Sequence, residues 1–335
     1  MPSKPATLRD VARQAQVSYQ TVSRVVNNSP YVSSKTRSRV IQAIRELNYH
    51  SFKAIRNLKV GQSQTVQVFA IENSSFGPIS SILNTAREMG YQAALSVLSD
   101  PYSFDELQTL LDDCIKRMVD GFILITPELR ISQEDLHLLC RGTPYVQIGA
   151  DPGALTPSII FDQRYGTRLA VQHLLNLGHR RIAEISGPLH LGDAKTRHQA
   201  YLSIMKTKKL ETGPFHEGDF TLQSGYEATC CLLDDGPKFT AIFCANDWTA
   251  MGAMRALTVR GFRVPEDISV IGFDDQDFAQ YLNPPLTTVC LDYYSMGKQS
   301  VEFLVSLIKD PLAPIHQRVL YPQLIVRQST GPIRP

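Results

Sequence analysis

The apolar positions of the chain change their period near residue 60. Before that point they recur at helical spacing. Leu8, Val11, Ala12 and Ala15 fall at i, i+3, i+4 and i+7, one face of a helix. Thr7 with Asp10 is a weak capping box ahead of it. Gln16-Val17 makes a short break, and Ser18 can cap a second helix running to about Val26. Ser33 can cap a third, Ser34 to Leu47, with Val40, Ile44 and Leu47 on one stripe. Three short amphipathic helices, the first two joined by a tight turn, form a helix-turn-helix pattern. From Thr65 onward, short apolar runs alternate with amphipathic windows. Strands are predicted at Thr65–Ile71, Tyr91–Val97, Gly121–Ile125, Pro144–Gly149, Arg181–Ser186, Phe239–Asn246 and Ile268–Phe273, with a last one at Gln323–Gln328. Helices are predicted between them, among others at Ile79–Met89, Phe104–Met118, Gln163–Leu177 and Thr249–Arg260. This alternation predicts parallel α/β sheets, and about 270 residues suit two such lobes.

The second helix separates its side chains cleanly. With Tyr19 at zero and about 100° per residue, Gln20, Ser23, Arg24 and Asn27 lie in an arc of about 0° to 140°. Val22, Val25 and Val26 lie between about 240° and 340°. One face is valine. The other carries a phenol, two amides, a hydroxyl and a guanidinium, the groups that read base edges.

Charge supports that reading. The formal total is only +2. Residues 1–60, however, hold four Lys and seven Arg against one Asp and one Glu, a net +9, so the remainder carries −7. A basic head on an acidic body points to a polyanion partner for the head. The six cysteines form no C-x-x-C pair and no zinc spacing, and read as reduced packing residues. No P-loop, G-x-S-x-G, H-E-x-x-H or G-x-G-x-x-G is present, so neither catalysis nor a metal or cofactor is expected. Asp274-Asp275 is a poor acid/base pair, because adjacent residues at a strand end point opposite ways. No apolar run reaches the length of a membrane span, and the first fifteen residues have no secretory h-region. A cytoplasmic protein is expected.

Ser18-Tyr19-Gln20-Thr21-Val22-Ser23-Arg24-Val25-Val26-Asn27 resembles the recognition-helix segment of the lactose-repressor (LacI/GalR) family. Thr7-Leu8-Arg9-Asp10-Val11-Ala12 resembles the family's opening T-x-x-D-V-A, and Val32-Ser33 to Leu47-Asn48-Tyr49 its V-S-x-x-T-R…LNY stretch. The resemblance implies a DNA-binding domain over residues 1–49 that sits in the major groove, two copies per palindromic operator. Tyr19, Gln20 and Arg24 would be the main base readers, with Ser23 and Asn27 as helpers. It further implies a hinge and linker over residues 50–63, in which Leu58 matches a leucine wedge that enters the minor groove. Ser51 stands where the family commonly has proline.

The body resembles the same family along nearly its full length, through Gly178-His179-Arg180-Arg181-Ile182-Ala183, Ala245-Asn246-Asp247, Ser269-Val270-Ile271-Gly272-Phe273-Asp274-Asp275 and Pro285-Leu286-Thr287-Thr288-Val289. The implied fold is a two-lobed periplasmic-binding-protein type I body over residues 64–335 that closes on a small molecule. Its N-lobe would take about 64–160 and 290–321, and its C-lobe 161–289 and 322–335. The implied contacts are Arg197, Asn246 and Asp274 as the polar groups, Phe161 and Phe220 as aromatic platforms, and Thr126 and Pro127 as cleft wall. Aromatic faces with Arg, Asn and Asp suit a sugar or glycoside, while a purine or other metabolite stays open. Gly149 and Leu291 stand where a family member has polar contacts, and the segment Glu72–Gly77 looks shortened, so a different effector is expected. The tetramerising leucine heptads known in the family are absent, which leaves a homodimer as the expectation. The expected function is a repressor of carbohydrate-use genes that binds a palindromic operator as a dimer and is switched by effector-driven lobe closure. Two rivals are a solute-binding protein, which would have no use for a base-reading helix, and a sugar-active enzyme, which ligand turnover would reveal.

Overall fold

The structure is a computed structural model that describes residues 8–26, 32–47, 63–71, 77–99, 103–125, 133–234, 238–310 and 313–333. The chain forms two compact units, Met1–Gln64 and Thr65–Pro335.

The first unit holds α1 (Leu8–Gln14), α2 (Tyr19–Val26) and α3 (Ser34–Glu46). The expected caps are in place. The Ser18 hydroxyl accepts from the Thr21 amide at 3.1 Å and the Ser33 hydroxyl from the Thr36 amide at 3.3 Å. Each satisfies an amide that the first helical turn leaves without a partner. The break between α1 and α2 is a left-handed Gln16, φ 51°. Val11, Ala12, Ala15, Val22, Val25, Val40 and Ala43 make a small core of short side chains. Arg39 on α3 donates to the Ala15 carbonyl at 2.6 Å, so a cation sits at the negative end of α1 and ties α3 to the turn.

The second unit contains two parallel sheets. The first is ordered β11-β5-β4-β3-β1-β2, built from Gln317–Leu320, Ser158–Phe161, Tyr145–Ile148, Gly121–Ile125, Thr65–Ile71 and Gln92–Leu98. The second is ordered β7-β6-β8-β9, built from Phe215–Glu217, Ile182–Ser186, Ala241–Cys244 and Ser269–Ile271. Strands β1, β3, β4, β5, β6, β8 and β9 are buried almost without interruption, as strands covered on both faces must be. The helices are α4 (Ile79–Glu88), α5 (Phe104–Lys116), α6 (Gln133–Cys140), α7 (Gln163–Asn176), α8 (Gly192–Thr207), α9 (Leu222–Asp234), α10 (Asp247–Val259) and α11 (Tyr293–Lys309). The foreseen strands are present within a residue or two of their expected starts, most of them shorter. Strands β5, β7, β11 and β10 (Thr288–Cys290) were not foreseen. Three or four residues carry too little periodicity to announce a strand. No described helix is long and apolar enough to cross a membrane.

The chain passes between the sheets three times: after β5, between β10 and α11, and between β11 and β12 (Gln323–Ile325). The passages lie side by side. Cys290 pairs with Gln323 across the antiparallel β10–β12 ladder, and the Asp162 amide donates to the Leu320 carbonyl at 2.9 Å.

Glu184, a charged residue on β6, is fully buried. Its Oε2 lies 2.8 Å from Nδ1 of His198 on α8. Burial pushes the Glu184 carboxyl up to about 9 and lowers the His198 ring, so both are neutral at pH 7 and the acid O–H donates to the imidazole. Between its unfolded value near 4.5 and about 9, the folded chain holds a proton that the unfolded chain has released. Stability therefore falls as pH rises across that window, by up to about 1.4 kcal/mol per pH unit. Glu184→Gln keeps a donor toward His198 and should be close to wild type at pH 7. Urea unfolding between pH 7 and 9 should then show a flatter decline for the variant; an unaltered slope would refute the neutral pair.

Candidate nucleic-acid interface and ligand cleft

In the head, α2 turns its two arcs as the sequence demands. Val22 and Val25 are buried; Tyr19, Gln20 and Arg24 are exposed, and Ser23 is half-buried. The two buried valines thus leave a phenol, an amide and a guanidinium exposed on one face. Asn27 and the whole of 50–62, including Leu58, lie outside the described residues, as do Thr126, Pro127 and 72–76.

In the body, a cavity of about 280 Å³ opens where the first sheet's strands end. Ile125 closes β3, Ile148 closes β4 and Phe161 closes β5, and all three line it. Gln163 at the start of α7, Asp193 and Thr196 on the first turns of α8, and Tyr293 at the start of α11 also line it. Ligand sites in parallel sheets lie at these strand ends, because the loops and helix N-termini there leave backbone N–H groups unpaired. Phe161 and Tyr293 meet edge to face, with centroids 5.4 Å apart at 89°. One ring thus fixes the other's tilt at the cavity wall.

Arg197 lies behind this wall on α8 and is buried. Its Nε donates to Gln163 Oε1 at 3.0 Å and its Nη1 to the Ala245 carbonyl. Its Nη2 reaches Asp274 Oδ1 at 3.4 Å, and its plane stacks on Phe273, 3.9 Å from the ring centroid. Burial pushes the Asp274 carboxyl up to about 6, Arg197 pulls it down, and Asp193 pushes it up again. Asp274 itself has φ 107°, a strained value for a side-chain-bearing residue.

Asn246 caps α10, its Oδ1 accepting from the Thr249 amide at 2.8 Å. Its Nδ2 donates to the Phe220 carbonyl at 2.9 Å. Phe220 has φ 69°, and its ring lies so close over Gly187 that a Cβ there would stand 2.3 Å away. Phe220 does not border the 280 Å³ cavity. Asp247 is buried; it accepts from the Gln276 amide at 2.7 Å and bonds the Thr288 hydroxyl at 2.5 Å. Burial, with Asp274 nearby, pushes its carboxyl up to about 8. Asp274 and Asp275 turn to different arginines, since Asp275 pairs with Arg327 at 2.7 Å. Among the described residues no group of three or more His, Cys, Asp or Glu is placed to hold a metal ion.

The structure therefore gathers Arg197 and Asp274 into one cluster, sets Asn246 and Phe220 on an adjoining turn, and gives Phe161 to the cavity. Sequence reading passed over Gln163, Asp193 and Tyr293. One signal was available: Asp193 is four residues before Arg197 on a helix, hence on the same face.

A helix-turn-helix head on a two-lobed, cleft-bearing α/β body is the build of a ligand-responsive DNA-binding regulator, not of an enzyme. Residues 7–51 match the bacterial regulatory proteins of the lacI family, and residues 171–330 a periplasmic binding protein-like domain. The chain is 34% identical to the lactose operon repressor of Escherichia coli (strain K12) over 98% of its own length and 91% of that protein's. It is also 34% identical to the HTH-type transcriptional repressor PurR of Haemophilus influenzae (strain ATCC 51907 / DSM 11121 / KW20 / Rd), over 98% and 99% of the two chains. Its structure superposes on the lac repressor dimer bound to operator and the anti-inducer ONPF with a TM-score of 0.89, covering 98% of this chain and 100% of that one at 34% identity. The chain belongs to the lacI family of bacterial regulatory proteins.

Arg197→Ala should cost the body about 3–5 kcal/mol in urea unfolding, because it leaves a buried carboxylate, an amide oxygen and a carbonyl unpaired. Arg197→Lys should recover only part, since a point ammonium cannot serve three acceptors in one plane. Equal stability of Lys and wild type would count against the planar arrangement.

Proposed function

We propose that this chain is a repressor that binds a palindromic operator as a homodimer in the cytoplasm. A small-molecule effector in the cleft between its lobes controls it. The observation that carries the reading is the two-faced α2: buried valines hold it, and Tyr19, Gln20 and Arg24 stand exposed in a head of net +9. In this reading residues 1–49 bind DNA, with Ser23 and Asn27 helping, and 50–63 form the hinge that carries the Leu58 wedge. Residues 64–335 bind the effector and pair. The N-lobe takes about 64–160 and 290–321, and the C-lobe the rest. The first sheet's membership of β5 and β11 supports that division in outline.

Pairing is supported by what the body leaves uncovered. Strand β2 is the edge of the first sheet, yet it exposes Leu95 and Val97. On the second lobe Trp248 and Tyr281 are also exposed. An apolar edge strand without a cover is an aggregation hazard, and a second subunit removes it.

The effector reading rests on the cavity wall. Phe161 and Tyr293 offer ring faces, and Gln163, Asp193 and Thr196 offer hydrogen-bond partners at one rim. That pairing suits a sugar or glycoside, whose apolar ring face and hydroxyl edge need both. In this reading Arg197, Asp274, Asn246 and Phe220 are further effector contacts, and Thr126 and Pro127, which lie outside the described residues, are others. A purine-type metabolite would use the same rings by stacking. Coupling requires only that the effector favour one lobe arrangement over the other.

In a mobility-shift assay the protein should bind a palindromic duplex resembling the lactose operator in preference to a scrambled one. Arg24→Ala should lose about 1–3 kcal/mol and relax preference at one base pair. Equal affinity for both duplexes would overturn the base-reading role of α2. A thermal-shift screen of sugars and nucleobases should yield a hit that Phe161→Ala abolishes.

A further inference from the structure

A second cavity, of about 500 Å³, lies at the other end of the first sheet. Ile148, which ends β4, lines the cleft cavity, whereas Tyr145, which begins β4, lines this one. Helix α11 spans the same interval. Its first residue, Tyr293, borders the cleft cavity, and Leu307, about 21 Å further along the helix axis, borders the second. Leu138, Leu155 and Ile315 also line it and are 70%, 86% and 59% exposed, so they form its rim. Exposed aliphatic groups gathered at one opening mark a binding surface. Two hydroxyls border this apolar space. Thr156 is 3% exposed, and its Oγ1 is one of two buried side-chain polar atoms among the described residues with no hydrogen-bond partner. Such an atom is rare in a folded chain. Tyr145 is buried too, and no group among the described residues bonds its hydroxyl. Burial pushes that phenol up to about 12, so it stays a neutral donor. The two residues are neighbours. Gln147 pairs with Ser158 and its amide donates to the Pro157 carbonyl at 2.9 Å, so the chain ahead of β5 runs beside the start of β4. No Asp, Glu, Lys or Arg is among the described lining residues, whereas the cleft cavity has Asp151, Asp193 and Lys195.

We propose that this cavity is a second ligand site, separate from the cleft, for an uncharged and mainly apolar molecule, aromatic or alicyclic, whose hydroxyl pairs with Thr156 and Tyr145. The inference stands whatever occupies the cleft. The volume falls in the range of sites that hold small organic molecules, and a largely apolar lining with a few polar groups is their usual make-up. A ligand hydroxyl donates once and accepts twice, so it can serve both protein hydroxyls. Rotation about χ1 of Thr156 exchanges Oγ1 and the methyl group at nearly equal volume, so the hydroxyl can turn to a ligand without displacing its neighbours. A charged ligand would lose hydration and find no opposite charge in the lining.

Calorimetry on the full chain with 2-naphthol, 2-methylnaphthalene and 2-naphthalenesulfonate tests this. 2-Naphthol should bind, and the sulfonate should bind at least about tenfold more weakly. Leu155→Glu changes only a rim residue and should weaken 2-naphthol at least about tenfold. Thr196→Trp, which fills the cleft, should leave it within about twofold. Thr156→Val should weaken 2-naphthol about fivefold and leave 2-methylnaphthalene within about twofold. No binding of 2-naphthol at about 1 mM overturns the site. Binding that Thr196→Trp abolishes and Leu155→Glu spares places the probe in the cleft and also overturns it. Equal losses of both naphthalenes in Thr156→Val overturn the hydroxyl pairing. A second measurement needs no ligand. Thr156→Val replaces an unpartnered hydroxyl with a methyl group and should melt about 2–4 °C higher than wild type. A lower melting point would show that Oγ1 has a partner and would overturn its role. Sedimentation covers the other occupant: assembly beyond a dimer that Leu155→Glu removes would show a second copy seated on the rim, against the proposal.

Discussion

A buried cation has to be answered on every side, and Arg197 shows what that requirement builds. Its guanidinium spends its donors on Gln163, Ala245 and Asp274 and its face on Phe273. These partners come from the start of α7, the end of β8 and the end of β9. A guanidinium suits the task because its donors form a rigid planar fork and it stays charged wherever it is placed. Its partners would otherwise bear the full cost of lost hydration. The strained backbone at Asp274 persists because Arg197 and the Phe273 ring over-determine it.

The short run Ala245-Asn246-Asp247 continues the same logic without charge on the surface. The Ala245 carbonyl serves Arg197. Asn246 caps α10 with one end of its amide and holds the Phe220 turn with the other. Asp247 fixes the loop after β9 through Gln276 and the β10 strand through Thr288. Three consecutive residues thus place three separate pieces of the cleft region. The head works on a smaller scale with cheaper parts. Ser18 and Ser33 start helices, and Arg39 closes the turn whose geometry aims α2.

Much of this was readable in advance, and the reason is period. The head's helices are written by apolar spacing and capping hydroxyls, both local signals, and Val22 and Val25 lie inward as their arc requires. Buried parallel strands announce themselves as apolar runs, so β1 and β3 keep their expected bounds. Strands β5, β10 and β11 were invisible because three or four residues show no period, and their pairing is set by distant neighbours. The cleft divides in the same way. Asn246 and Asp274 come from motifs and Arg197 from the family resemblance, whereas Gln163 and Tyr293 are brought to the cavity only by the sheet's topology. The jobs of Asn246 and Asp247 as backbone clamps leave no trace in spacing at all.

The three adjacent passages between the sheets have a mechanical meaning. A single tether would leave two lobes free to rotate about any axis, and each freedom would have to be frozen when a ligand closed them. Segments that run side by side and are cross-bonded at Cys290–Gln323 and Asp162–Leu320 remove most of those freedoms beforehand. What is left is close to one bending coordinate, like the pin of a door. The entropy of that alignment is lost once, at folding, and not again at each binding event. Any motion of one lobe against the other is then confined largely to that one angle.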